Sequence, residues 1–209
     1  MNVIIKELAD TNITYEQIVD LIHRSFEERL DQNLLFTCLF IDVDSFKVKT
    51  SLGIIFVALN AVSNELLGTA YIQLKKDKNN DAYGYFEYLA IDPKVKRMGV
   101  GTKLCKSCYD FVIAAGASYI LCDTDVQAKS SINIHLKNGF RIIGLRSYPS
   151  TNYYSYLFRK QLKKSKKWDN IFYIKLIFIE SYFKTKLTLK KSGEPTVLLS
   201  FYRWLKKHV

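Results

Sequence analysis

Residues 87–102 read EYLAIDPKVKRMGVGT, and this stretch decides the fold. An apolar strand ends at Asp92-Pro93, a basic turn follows, and Gly99-Val100-Gly101 opens a helix. The backbone N–H groups at a helix N-terminus lack intrahelical acceptors, and glycines allow a phosphate to approach them closely. Lys96 and Arg97 add positive charge beside them. The pattern therefore favours a pyrophosphate site at the start of this helix.

The same glycines do not complete the dinucleotide-binding fingerprint. The third glycine of that fingerprint is missing, and no acidic residue about twenty positions on ends a second parallel strand in the required way. A Gly-x-Gly after a strand also serves ordinary tight turns, so by itself it is a weak signal. Dinucleotide binding is disfavoured, and the surrounding elements have to decide what this turn holds.

The residues before this stretch predict one helix and several strands. Residues 14–29 form an amphipathic pattern with Thr14 as the N-cap, whereas residues 31–51 are ambiguous. Buried runs and apolar alternation predict strands at residues 3–7, 54–59, 66–74 and 83–91.

The residues after it predict helices that alternate with strands. The helices cover residues 99–116 and 129–138, and Gly139 ends the second. Strands are expected at residues 118–124, 140–146 and, after a turn at Pro149-Ser150, 153–159. Hairpins followed by alternating helices and strands indicate the α/β class, with a mixed sheet flanked by helices.

Two motifs together resemble the GNAT acetyltransferase family. Its cofactor motif is a strand ending hydrophobic-x-Pro, then Gln/Arg-x-x-Gly-x-Gly/Ala, which residues 96–101 match except that Lys96 keeps the charge without the bidentate geometry of arginine. A family helix ends in Tyr-x-x-x-Gly-Phe. Here Gly139-Phe140 is kept and His135 stands in the tyrosine position. The resemblance spans residues 3–160 in element order as well as in motifs.

This resemblance implies a fold, a reaction and a co-substrate. The fold is the acyl-CoA N-acyltransferase fold, a mostly antiparallel mixed sheet with a V-shaped opening between strands 83–91 and 118–124. The implied enzyme is an N-acetyltransferase that uses acetyl-CoA in a direct ternary complex, without metal. Pantetheine would pair with the main chain near Leu89, Ala90 and Ile91. The pyrophosphate site would comprise Lys96, Arg97, Met98, Gly99, Val100, Gly101 and Thr102, and Ser131 is expected to complete the cofactor site.

The resemblance also suggests catalytic residues. Transfer to an amine needs the free base, and Glu87 occupies the strand position where family members often carry a catalytic glutamate. A salt-bridged or exposed carboxylate is the alternative for Glu87, and Asp123 and Asp125 are reserve bases. His135 would donate a proton to the departing thiolate, and a purely structural histidine is the alternative.

The acceptor is open to more than one hypothesis. We favour a primary amine of a small molecule, such as an amino sugar or another envelope precursor, with Tyr88 and Tyr148 as candidate lining residues. A protein or peptide N-acetyltransferase is a second hypothesis, and it predicts an open groove. A non-catalytic domain that senses acyl-CoA or scaffolds a partner is the third.

The positive charge divides the chain into two parts, an acetyltransferase domain at residues 1–160 and a basic, aromatic extension at residues 161–209. The net charge of the chain is +11, yet residues 1–158 hold 17 basic and 17 acidic side chains, so the excess lies in the last 51 residues. We favour packing of the extension on the core or on a second subunit. Peripheral contact with anionic lipid is the alternative. Nucleic-acid binding is disfavoured because no recognition module is visible.

Location and cysteine chemistry follow from the same composition. The first residues lack the pattern of a secretory signal, so we expect a cytoplasmic protein. Four cysteines are too few for a disulfide framework, and Cys105 and Cys108 lie within an apolar helical pattern without a second pair. We therefore expect free thiols and no zinc site.

Overall fold

The computed structural model describes residues 2–27, 36–148, 151–163 and 181–182. Within these residues the strands are β1 Val3–Glu7, β2 Ile54–Asn60, β3 Leu66–Lys76, β4 Ala82–Ile91, β5 Tyr119–Asp125, β6 Arg141–Ser147 and β7 Tyr154–Gln161. The α-helices are α1 Tyr15–Phe26, α2 Val43–Thr50, α3 Val100–Ala114 and α4 Lys129–Lys137. Short 3-10 turns occupy Leu8–Asp10, Thr37–Phe40 and Pro93–Val95.

The strands form one mixed sheet in the order β1-β2-β3-β4-β5-β7-β6. β4 and β5 run parallel, and the other neighbours are antiparallel. The parallel pair needs a crossover, which α3 supplies. This confirms the α/β class and the mostly antiparallel sheet that the sequence predicts.

Helices cover both faces of the sheet. The burial of β2 on both faces explains why its sequence is an unbroken apolar run. Phe56 and Ala58 belong to a core under α3 and α4, whereas Ile55, Val57 and Leu59 belong to a second core under α1 and α2. Because successive side chains of a strand point to opposite faces, a strand buried on both faces is apolar throughout.

The segment before β2 is where the sequence pattern was too weak to interpret. α2 has eight residues and buries only Phe46 and Thr50, so it presents little helical periodicity. Asp42 caps it by accepting a hydrogen bond from the Ser45 N–H at 2.7 Å. At α1, the predicted cap is confirmed, since Thr14 forms a capping box with Gln17.

Several sequence predictions fall outside the described residues. These are the end of the first helix near Arg29, the turn at Pro149-Ser150, and most of the extension beyond residue 163. Across the part of the chain that is described, none of the helices combines the length and hydropathy needed to cross a membrane. Cys105, Cys108 and Cys122 are buried free thiols, and Cys38 is a half-buried one.

Candidate functional site

β4 and β5 separate at the centre of the sheet. Their parallel pairing runs from Tyr83 opposite Tyr119 to Phe86 opposite Cys122 and goes no further. The next residues of the two strands, Glu87 and Asp123, therefore stand on either side of the point where the strands diverge. This is the opening that the family resemblance implies.

A β-bulge shapes the β4 side of this opening. Thr69 of β3 pairs with Ala90, but Tyr71 pairs with Glu87, so two residues of β4 face one residue of β3. Tyr88, in the bulge, has a φ of 52°, which is uncommon for a side chain of this size. Its ring packs edge-on against Phe46 at 5.1 Å, so Tyr88 belongs to the core under α2.

The glycine turn before α3 leaves open space at the N-terminus of this helix. Gly99 is the N-cap of α3 with a φ of 83°, and a Cβ placed there would meet no atom within 4 Å. Lys103 N–H donates to the Gly99 carbonyl at 3.1 Å, so the amides of residues 100–102 precede the first α-helical hydrogen bond. The geometry suits a pyrophosphate lying against the helix N-terminus.

The predicted members of that turn differ in exposure. Arg97, Met98, Gly99 and Thr102 are exposed, Lys96 is half-buried, and Val100 and Gly101 are buried. Val100 and Gly101 can therefore present only their main chain, whereas the exposed basic side chain of Arg97 is accessible to a phosphate.

Glu87 and Asp123 form an acidic pair on the sheet face that α1 and α2 partly cover. Burial raises the pKa of Glu87, and the Asp123 carboxylate raises it further, while the Lys75 ammonium opposes both. A carboxylate with a raised pKa in a cleft is a candidate general base. The catalytic role of Glu87 stays a prediction, and its raised pKa is compatible with it.

Asp123 is held by a network of hydroxyl groups and one arginine. Tyr85 Oη donates to Asp123 Oδ1 at 3.0 Å. Arg146 Nη1 donates to Tyr148 Oη at 3.2 Å and to Tyr85 Oη at 3.5 Å. Asp125, the other reserve base, is 1% exposed. Its Oδ1 accepts a hydrogen bond from the Gln127 N–H at 3.0 Å, a contact typical of a turn.

Tyr71 adds a buried hydroxyl beside Glu87, its partner in the β3–β4 register. Among the described residues, Tyr71 Oη has no hydrogen-bond partner, although the side chain is 1% exposed. Burial and the Glu87 carboxylate raise the pKa of Tyr71 to about 12, so the hydroxyl keeps its proton. A buried hydroxyl without a partner indicates a position for water or for a bound polar group.

His135 lies inside the core rather than on a helix surface. It is 2% exposed and is surrounded by Phe86, Phe140 and Phe158, with ring centroids 5.2–6.0 Å away. Burial lowers the pKa of His135 to about 4, so the imidazole is neutral at pH 7. Its Nε2 lies 3.5 Å from the Oγ of Ser131, which is half-buried one turn earlier on α4.

Aromatic side chains bridge two connections beside the opening. Phe36, just before the Thr37–Phe40 turn, stacks on Tyr153 of the β6–β7 connection with ring centroids 4.6 Å apart. Phe26 at the end of α1 lies 5.4 Å from Phe36. These contacts join the end of α1, the segment before the Thr37–Phe40 turn and the β6–β7 connection.

Sequence reasoning did not identify Tyr71, Tyr85, Lys75 or Arg146 as site residues. The signal for Tyr85 was available, because alternation along β4 places it on the same face as Glu87. Arg146 had no local signal, since it reaches Tyr85 from β6, two strands beyond β5. Only the strand order brings these side chains together.

Comparisons with known proteins identify the family of this chain. The model of the "Acetyltransferase (GNAT) family" matches residues 15–140. N-alpha-acetyltransferase 30 of Xenopus laevis is 28% identical over 82 residues, which are 39% of this chain and 30% of that protein. The chain thus matches less than a third of that relative's length.

Solved structures share the fold at low sequence identity. A crystal structure of the NatC complex bound to Gag peptide and CoA has a TM-score of 0.64 at 17% identity, covering 78% of this chain and 100% of that one. A GNAT family acetyltransferase from Elizabethkingia anophelis with acetyl-CoA bound has a TM-score of 0.53 at 19% identity. The match covers 77% of this chain and 99% of that one. Both likenesses concern the fold.

Proposed function

Because this chain belongs to the GNAT acetyltransferase family, we propose that it is an N-acetyltransferase that acetylates a primary amine of a small molecule with acetyl-CoA. One observation carries the proposal. Glu87 and Asp123 flank the first position at which β4 and β5 no longer pair, so an acid pair stands at the mouth of the opening.

Residues on both sides of the opening would hold acetyl-CoA, which supplies an activated acetyl group as a thioester. The main chain of Leu89, Ala90 and Ile91, at and just after the bulge, would pair with the pantetheine amides. The amides of Met98, Gly99, Val100, Gly101 and Thr102 would bind the pyrophosphate, with Lys96 and Arg97 adding charge and Ser131 contributing from α4. The open space above Gly99 supports this assignment, because a side chain there would occupy the anion's position.

Glu87 would act as the general base. A primary amine with a pKa near ~10.4 arrives as ammonium at pH 7 and must lose a proton before its nitrogen can attack. Glu87 would take that proton directly or through a water held by Tyr71 Oη, the buried hydroxyl beside it. The nitrogen would then attack the thioester carbonyl, the carbon–sulfur bond would break, and the second proton lost by the nitrogen would pass through water to the departing CoA thiolate. Asp123, fixed by Tyr85, keeps the site attractive to a cation and helps to raise the pKa of Glu87.

We assign His135 a structural role instead of the proton-donor role that its position in the motif suggested. Its pKa of about 4 leaves no imidazolium at neutral pH, and its ring is enclosed by three phenylalanines. The contact with Ser131 would orient that hydroxyl on α4. This explains how histidine can stand where the family carries tyrosine.

A peptide α-amine is a second candidate acceptor. It is favoured by the similarity to N-alpha-acetyltransferase 30 and to the NatC complex, whose crystal structure contains a peptide.

The test is CoA release with matched acceptors. The purified chain would be given acetyl-CoA with glucosamine, ethanolamine, a short peptide with a free N-terminus, or the same peptide with a blocked N-terminus and an internal lysine. Turnover of the small amines that Glu87→Gln abolishes supports the proposal, and turnover of the free-terminus peptide alone supports the second candidate. Tight acetyl-CoA binding without turnover of any acceptor contradicts both and favours a sensor or scaffold.

A further inference from the structure

Two cations lie beside the acidic pair on the acceptor face. Lys75 Nζ lies over the ring of Tyr85, 4.4 Å from its centroid. Arg146 reaches the hydroxyl of the same tyrosine at 3.5 Å. Tyr85 Oη therefore lies between Arg146 and Asp123. Lys75, over the ring, also acts on Glu87 and lowers its pKa, so this face carries charges of both signs.

The Arg146 guanidinium is oriented but not neutralised. Its Nη1 is fixed by the hydroxyls of Tyr85 and Tyr148, and burial raises the pKa of both phenols, so both remain neutral. Across the described chain, no carboxylate lies within 4.0 Å of Arg146. Both hydrogen bonds that Arg146 donates to described residues use Nη1, so its Nε–Nη2 edge faces no acceptor among them.

An oriented guanidinium with a free edge is suited to a carboxylate or phosphate. Two parallel N–H donors match two oxygens of such a group, and this pairing is stronger than a bond to a neutral acceptor. The side chain of Arg146 is exposed, so an incoming ligand can reach it. An arginine serving only to support Asp123 would bond the carboxylate itself, whereas Arg146 contacts it only through Tyr85.

We propose that the acceptor amine also carries an anionic group, a phosphate or a carboxylate, which Arg146 binds with help from Lys75 while the amine meets Glu87 and Asp123. This inference rests on the proposed function, because it names the substrate class of the same site. A dipolar acceptor would match the order of charges across the face. An amine without an anionic group would leave the Nε–Nη2 edge of Arg146 unused.

The test compares amines that differ only in the anion. The pairs are phosphoethanolamine with ethanolamine, glucosamine 6-phosphate with glucosamine, and β-alanine with β-alaninamide, which separate phosphate from carboxylate. We expect kcat/KM for the anionic member to exceed that of its partner by 10-fold or more in at least one pair. Arg146→Gln should reduce this ratio by at least 10-fold, and Arg146→Lys by less.

A matched control is available on the same strand. Arg141 is exposed at the other end of β6, so Arg141→Gln should leave the ratio unchanged. Equal turnover of both members of every pair, or a ratio that survives Arg146→Gln, overturns the inference and leaves N-acetylation standing. If no amine is acetylated while acetyl-CoA still binds, the proposed function fails, and the inference fails with it.

Discussion

At the scale of single residues, Glu87 is the side chain on which catalysis should depend most. Glu87→Gln keeps the shape and removes the base, so we expect kcat to fall by about 10²- to 10⁴-fold. The affinity for acetyl-CoA should stay the same, because the pyrophosphate turn is untouched. Thiol release and calorimetry measure the two quantities separately.

The raised pKa of Glu87 sets the sign of the pH dependence. The base is active only when deprotonated, so kcat should rise with pH through a pKa above the ordinary glutamate value of 4.5. Asp123→Asn removes the neighbouring negative charge and should shift this limb to lower pH. If kcat of Glu87→Gln rises with pH through the same pKa as kcat of the unaltered protein, the titrating group is not Glu87.

Asp92 anchors the end of β4 to α1 and should control stability. It is 4% exposed, and Arg24 Nη1 donates to its Oδ2 at 2.6 Å, at the edge of a cavity of about 400 Å³. Asp92→Asn should destabilise the fold at pH 7 by about 1.5–3 kcal/mol, the usual value for hydrogen bonds to a charged group. Denaturant unfolding measures the difference.

The pH dependence of this effect has a definite direction. Burial would raise the pKa of Asp92, but the Lys94 N–H and Arg24 outweigh it, and the pKa lies below the ordinary value. The stability that Asp92 contributes is therefore fully present at pH values above the pKa that Asp92 has in the unfolded chain. It is lost as the pH falls through the lower pKa that Asp92 has in the folded protein. Asp20→Asn is the control, since its exposed bond to Arg24 should contribute less than about 1 kcal/mol.

At the scale of elements, substitutions in the turn before α3 should impair ligand binding without impairing folding. Gly99→Glu places bulk and negative charge in the open space at the helix N-terminus, so acetyl-CoA binding should be lost in calorimetry. Gly139 is a matched control because it also has a positive φ, 82°, and open space around its Cβ position. Gly139→Glu should carry similar backbone strain yet retain binding; equal losses would contradict the assignment.

The close contact of α3 with β4 depends on another glycine. A Cβ at Gly84 would lie 2.7 Å and 2.9 Å from the two methyl carbons of Val112. Gly84→Ala should therefore destabilise the protein by about 1–3 kcal/mol, as overpacking does. Gly144→Ala, where a Cβ meets nothing within 4 Å, should be neutral or stabilising by up to about 1 kcal/mol. Thermal unfolding of the two variants decides the matter.

At the scale of the whole molecule, β7 ends at Gln161, close to the predicted boundary between the domain and its extension. The division at residue 160 and the role of residues 161–209 remain predictions. We propose that the extension packs on the core or on a second subunit, with contact to anionic lipid as the alternative.

Truncation after Leu162 tests this proposal. If the extension completes the core, the shortened chain should be insoluble or should unfold at a lower temperature. If the extension meets lipid, the shortened chain should stay folded, bind acetyl-CoA and lose co-sedimentation with anionic vesicles. A folded, monomeric chain whose vesicle binding and oligomeric state equal those of the full chain would contradict both roles.

The sequence by itself determined the family and the succession of strands and helices along the chain outside residues 31–51, and it predicts a pyrophosphate site at the turn of Gly99. These features are local, because alternation, glycine positions and a helix start depend on neighbours along the chain. It also indicated Glu87, through its position within a recognised strand. The 31–51 segment was not predicted because α2 buries too few residues to produce a pattern.

Only the tertiary structure decided the surroundings of each functional group. His135 occupies a motif position that suggested acid catalysis, yet its burial depends on Phe86 and Phe158, which come from two other strands. Arg146 acquires its proposed role because the order β4-β5-β7-β6 brings it within reach of Tyr85. Burial and long-range hydrogen bonds set protonation and charge, and no local pattern encodes them.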